Sequence, residues 1–136
     1  MSFICTAGDF PPELINGDVV IPIGYDGDSS LQYSILLGFA EMAGGDLEFF
    51  WVIVQVDTES GEEIELWSGL DTKVIFGKDD RILIRTALLT GIEFLLDEDK
   101  PDRFFCCTHD SDLPQKALYK HVLIAAQFKV CVADIR

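Results

Sequence analysis

Leu31, Tyr33, Ile35, Leu37 and Phe39 fall at every second position, the period of a strand with one buried face, although Leu31, Ile35 and Phe39 also fit helical spacing. The next segment decides for a strand. Gly44-Gly45-Asp46 is turn chemistry, and Leu47 to Asp57 is crowded with aromatic and β-branched residues (Phe49, Phe50, Trp51, Val52, Ile53, Val54, Val56) that suit a pleated surface. Thr58-Glu59-Ser60-Gly61 turns again. Glu62 to Ser68 then alternates, with Ile64, Leu66 and Ser68 on one face and Glu63, Glu65 and Trp67 on the other. These segments predict an antiparallel three-strand meander.

Before the meander, Phe3 to Thr6 reads as a short strand, and Pro11-Pro12 and Asn16-Gly17 mark the residues after it as loop. Val19 to Gly24 is strand-like, but Pro22 cannot donate to a ladder and belongs at an edge or a bulge. Tyr25 to Ser30 is a turn cluster. Its Asp26, Asp28 and Ser30 lack the glycine and terminal glutamate of a calcium loop.

After the meander, Gly69 to Asp80 is a connector holding the apolar knot Val74-Ile75-Phe76, and Asp79 to Leu96 is a long helix with Asp79 and Asp80 well placed against its N-terminal dipole. Leu83, Ile84, Ala87, Leu88, Phe94 and Leu95 share a broad face, with Thr86, Thr90, Glu93 and Asp97 opposite. Ile82, Leu89, Ile92 and Leu96 widen the apolar arc, so the helix is expected to be largely buried. Gly91 leaves room for a neighbouring strand. Asp97-Glu98-Asp99 ends the helix with the wrong charge for its C-terminus. Arg103 to Thr108 is a strand, Ser111 or Asp112 caps a helix with Pro114 in its first turn, and that helix runs from Leu113 to Phe128 with Leu118, Val122, Ala125 and Phe128 on its packed face. Lys129 to Ile135 alternates as a closing strand. This strand-helix-strand unit predicts a right-handed crossover within one sheet. The fold class is α+β.

A chain of 136 residues, 49% hydrophobic and 25% charged, fits one domain spanning 1–136. No run approaches the ~18 apolar residues of a membrane span, and the N-terminus lacks signal-peptide features. A cytoplasmic protein is expected. Four cysteines, two of them adjacent, form no disulfide framework.

Charge changes the picture. The net value of −14 comes from 24 acidic and 10 basic residues, and Met1 to Thr72 contains fourteen carboxylates and no Lys or Arg. The remaining ten acids and ten bases balance over Lys73 to Arg136. Such a field repels nucleic acid and acidic membranes and attracts basic protein surfaces.

The element order, with the texture of "DRFFCCTHDSDLPQKALYKHVLIAAQFKVCV" over Asp102 to Val132, resembles the central and C-terminal part of the GNAT acetyltransferase superfamily. It is similar in particular to small GNAT-like proteins of phages and prophages. The resemblance covers about residues 31 to 135. It implies a GNAT-like mixed sheet with the meander, the long helix and a C-terminal β-α-β unit. Family acetyltransferases hold the coenzyme A pyrophosphate with an Arg/Gln-x-x-Gly-x-Gly/Ala loop before the long helix. Here Gly69 and Gly77 are too far apart for that loop, and Asp79-Asp80 would face the phosphates. No cofactor is therefore expected, and the chain reads as a catalytically silent relative of the fold.

Other chemistry is weaker. Cys106, Cys107, His109 and Cys131 would have to converge to bind zinc, yet neighbouring strand residues point to opposite faces, so core packing is favoured. A Cys-His nucleophile has no defined third group, and His121 reads as a packed or rim histidine. Phe49, Phe50, Trp51 and Trp67 lack the basic groove of a stacking platform, leaving core or dimer packing. The expectation is thus a non-enzymatic acidic protein that blocks the basic nucleic-acid-binding surface of a partner by charge mimicry. The phage resemblance suggests an anti-CRISPR-like antagonist of a defence effector. The carboxylates expected to carry it are Asp57, Glu59, Glu62, Glu63 and Glu65, then Asp97, Glu98, Asp99 and Asp102. The alternatives are a divergent GNAT-type acyltransferase and a structural phage protein that forms a homodimer.

Overall fold

The computed structural model describes residues 3–41, 43–66, 76–99, 104–106 and 132–135, the last two stretches through their backbone pairing. The eight-stranded sheet contains β1 (Phe3–Cys5), β2 (Glu13–Ile15), β3 (Asp18–Asp26), β4 (Leu31–Glu41), β5 (Leu47–Asp57), β6 (Glu63–Leu66), β7 (Phe104–Cys106) and β8 (Val132–Ile135). One long helix, α1 (Lys78–Asp99), lies between β6 and β7 in sequence. The class is α+β.

Strands β3, β4 and β5 form the antiparallel trunk, and β4 and β5 stay in register over their whole lengths, from Leu31 opposite Asp57 to Glu41 opposite Leu47. The period of two therefore reads directly as faces: Val19, Ile21, Tyr33, Ile35, Leu37, Phe49 and Ile53 are buried in the core beneath α1. Short strands share the trunk's margins. β2 and β1 pair with the two ends of β3, while β6 and β7 pair with the two halves of β5. Pro22 sits at the register shift between Pro22 and Gly24, in the stretch of β3 between its pairings with β2 and β1. Its missing amide proton is harmless there.

The sequence expectation needs three corrections here. The segment after β1 is not all loop, because Glu13–Ile15 pairs with β3 as β2. Asn16 (φ 53°) and Gly17 (φ 86°) make the two-residue turn of this hairpin, both in the left-handed region that Asn-Gly tolerates. Nor is α1 largely buried. Ile82 is 58% exposed and Leu83 49%, although the helical pattern puts Leu83 on the packed face. The helix lies over β3 and β4, and its buried line runs through Ile84, Ala87, Leu88, Gly91, Ile92 and Leu95, leaving Leu83 at the border and Ile82 outside. Asp97–Asp99, expected to end the helix, form its last turn.

β7 and β8 pair side by side in parallel, as a crossover connection requires. The helix expected over Leu113 to Phe128, the connector from Gly69 to Ile75, and Trp67, Asp102, Cys107, His109, His121 and Cys131 lie outside the described residues.

Helix and sheet meet most closely at Gly91. A Cβ there would collide with the Ile21 side chain and come within 3.2 Å of Leu37. At the start of α1, Phe76 packs edge-on against Phe3 and Tyr33 at centroid distances of 4.6 and 5.6 Å. Gly91→Val should lower unfolding free energy by about 1–3 kcal/mol through overpacking, which outweighs the gain of under ~1 kcal/mol in helix propensity. Urea denaturation measures it, and an unchanged or raised midpoint would show that the contact is not tight.

Candidate functional site

The hairpin joining β5 to β6 gathers the first group of expected residues. Asp57 ends β5 and turns its carboxylate inward, accepting hydrogen bonds from Ser30 Oγ at 2.6 Å, the Glu59 amide at 2.9 Å and the Ser60 amide at 3.4 Å. The Thr58 amide and hydroxyl both donate to the Ser30 carbonyl, at 2.9 and 3.0 Å, and the Gly61 amide donates to the Asp57 carbonyl at 2.7 Å. The neighbouring β3–β4 turn is built alike. Asp26, nearly buried, accepts from the Asp28 amide at 3.0 Å and from Ser29 Oγ at 2.9 Å. Two Asx-type turns are thus bolted together through Ser30.

This brace divides the expected residues. Asp57 is a structural acceptor, and the Ser30 hydroxyl beside it, with the Glu59 amide, holds its carboxyl below the usual aspartate range. Glu59, Glu62, Glu63 and Glu65 stand exposed. Glu63 and Glu65 pair with Val56 and Val54, so both carboxylates lie on one face of the sheet beside half-buried valines. The sequence marked Tyr25 to Ser30 as a turn and weighed Asp26, Asp28 and Ser30 only as calcium ligands, so the role of Ser30 in joining the two turns was not foreseen.

The second group is not part of this site. Asp97, Glu98 and Asp99 are exposed on the last turn of α1, which holds no base. Asp99 lies near enough to Asp18, the first residue of β3, to act on its charge. β5 ends at the hairpin, whereas α1 ends beside Asp18 at the other end of these strands, level with Phe50 and so seven residues, roughly 23 Å, along the strand from Asp57. Asp18 itself packs its carboxylate over Gly38. Burial, and then the charge of Asp99, push its carboxyl above the usual aspartate range.

Among the described residues no group of three or more His, Cys, Asp or Glu side chains could hold a metal ion, and no helix is long and apolar enough to cross a membrane. Cys5 is half-buried, and burial raises its thiol. Compared with protein-family models, curated proteins and solved structures, the chain matches none of them.

The two aspartates predict opposite pH dependences. Asp57, lowered on folding, contributes stability that is complete above the unfolded range near ~4 and is lost as pH falls through its folded value. Asp18, raised on folding, opposes folding increasingly as pH rises from that range through its own folded value. At pH 7 Asp57→Asn should therefore be less stable than wild type and Asp18→Asn more stable, with both differences shrinking toward pH ~2. Urea midpoints across that range test this. A difference that stays constant with pH assigns either effect to packing instead.

Proposed function

We propose that this chain is a non-enzymatic acidic binding protein whose β5–β6 hairpin occupies a basic, nucleic-acid-binding surface of a partner protein. The observation that carries this reading is the braced turn. It holds Glu59, Glu62, Glu63 and Glu65 exposed on a hairpin without a Lys or Arg, so the carboxylates are presented on a fixed backbone. Charges fixed in advance lose less conformational freedom on binding, and a field of one sign steers encounter with a cationic groove. The valines beside Glu63 and Glu65 add apolar area next to the charge. By analogy with the phage proteins it resembles, the partner class is a nucleic-acid-targeting defence effector of a bacterium.

The acyltransferase alternative finds less support. Asp79 and Asp80 occupy the first turn of α1, where helix amides would have to receive a pyrophosphate. At ~5 Å each carboxylate opposes a phosphate charge by on the order of 1 kcal/mol even in water.

The expected outcome is that wild-type protein captures a nucleic-acid-binding protein from host lysate, competes with nucleic acid for it, and loses affinity at least tenfold between ~0.1 and ~0.5 M NaCl. Glu62→Lys/Glu63→Lys/Glu65→Lys should abolish capture while leaving the circular dichroism spectrum unchanged. Equal capture by the triple variant, salt-independent affinity, or micromolar binding of acetyl-coenzyme A by calorimetry would each refute the reading.

A further inference from the structure

Among the described residues β6 has one strand partner, β5, and the other edge of β6 is open. The Asp57 amide donates to the Glu62 carbonyl at 2.9 Å, which fixes the phase of the ladder between them. Gln55 with Ile64 and Ile53 with Leu66 are then the hydrogen-bonded pairs, and Val56 with Glu63 and Val54 with Glu65 are the pairs without bonds. The backbone amides and carbonyls of Glu63 and Glu65 therefore point away from β5, toward the open edge. Their side chains share one face of the sheet, and Ile64 between them stands on the other face, 43% exposed. Outward backbone groups beside an exposed apolar side chain are a template for one more strand.

We propose that the open edge of β6 takes up an extended segment of the partner protein, alternately basic and apolar, as an added antiparallel strand. This rests on the reading of the hairpin as the binding element and specifies what that element recognises. In an antiparallel ladder the residue opposite Glu63 or Glu65 lies on the same face, and here it also receives their outward backbone bonds. A Lys or Arg at every second position thus meets two carboxylates about 7 Å apart along the strand, and the apolar residue between them meets Ile64. The charge selects this occupant over a second copy. Two copies paired about a two-fold axis with Ile64 opposite Ile64 would set each Glu63 directly against a Glu65, and sliding the register by two only changes which glutamates meet. The edge is thereby guarded against itself and open to a basic strand.

The probe is a synthetic peptide with blocked ends in which Lys and Val alternate, made in three forms: unmodified, N-methylated at every Lys, and N-methylated at every Val. All three carry the same charge. In the added strand the Lys amides face β6 and the Val amides face away, so the two methylated forms differ only in which edge is blocked. Fluorescence anisotropy with the full chain at ~0.15 M NaCl, where charges beyond ~8 Å are screened, should show saturable binding of the unmodified peptide. Methylation at Lys should raise its Kd at least tenfold and methylation at Val less than threefold. Ile64→Ser should raise the Kd at least threefold, whereas Asp97→Lys/Glu98→Lys, on the last turn of α1, should leave it unchanged. Amide hydrogen exchange gives a readout that needs no variant: the unmodified peptide should slow exchange at Glu63 and Glu65, which face the open edge, far more than at Ile64, which is already bonded to β5. Equal Kd values for the two methylated forms, or no added protection at Glu63 and Glu65, would overturn strand addition. If binding were then still lost in Glu62→Lys/Glu63→Lys/Glu65→Lys, recognition by charge would stand without the added strand.

Discussion

The close passage of α1 over β3 and β4 at Gly91 is the constraint on which the rest of the arrangement depends. With no side chain at that position the helix settles onto Ile21 and Leu37, and its buried line can then reach Leu88 and Leu95 on either side. Two rods in contact at one point still need their directions fixed. The edge-on cluster of Phe3, Tyr33 and Phe76 supplies this at the start of the helix, against an opposing term: the Tyr33 hydroxyl is buried without a hydrogen-bond partner among the described residues. An unsatisfied buried hydroxyl costs about 1–3 kcal/mol, so the three-ring contact and the burial of the tyrosine ring must outweigh it. Once both contacts are made, the helix runs antiparallel to β3 and β5, and its acidic last turn is carried to the end of the sheet away from the hairpin.

That geometry explains much of where the charge lies. Long central strands with apolar faces leave few places for carboxylates except the turns, the short marginal strands and the ends of the helix. The acids of the base-free front half accordingly occur at Asp26 and Asp28, at Asp57 to Glu65, and at Glu41 and Asp46. Segregation to the ends of strands is a consequence of the fold. The absence of any compensating Lys or Arg in those same turns is not, because a lysine is as soluble there as a glutamate and guards a sheet edge at least as well. The fold leaves the missing bases unexplained, and the proposed binding role draws on this part of the pattern.

The sequence made the trunk legible because Leu31 to Phe39 obeys a period of two and Leu47 to Asp57 is crowded with aromatic and β-branched residues, and Gly91 stands out as a glycine inside an apolar helix. It made β2 illegible for the opposite reason. Three residues between Pro11-Pro12 and Asn16-Gly17 carry no periodicity, and only pairing with β3 turns Glu13–Ile15 into a strand. The exposure of Ile82 and Leu83 is hidden in the sequence because a nearly all-round apolar helix reads the same whether sheet or partner covers it. Within the acidic site, charge was legible and role was not. Asp57 and Glu59 look alike in a list of carboxylates, yet one is folded into three hydrogen bonds and the other is exposed.

This difference bears on how an acidic surface recognises anything. A flexible tail of glutamates would attract cations as strongly at long range, but ordering it on contact would cost side-chain and backbone entropy, and the attraction would carry little shape. Here the backbone under Glu59 to Glu65 is fixed before any encounter by the bonds through Ser30 and Asp57. Glu63 and Glu65 are locked to one face by their pairing with Val56 and Val54. Under the binding role proposed above, a partner would have to match a particular spacing of carboxylates beside an apolar strip, and mere positive charge would not be enough. The same logic separates the hairpin from the last turn of α1. Its Asp97, Glu98 and Asp99 oppose the helix dipole and are held by no base of their own turn, so they contribute field without a comparable fixed shape.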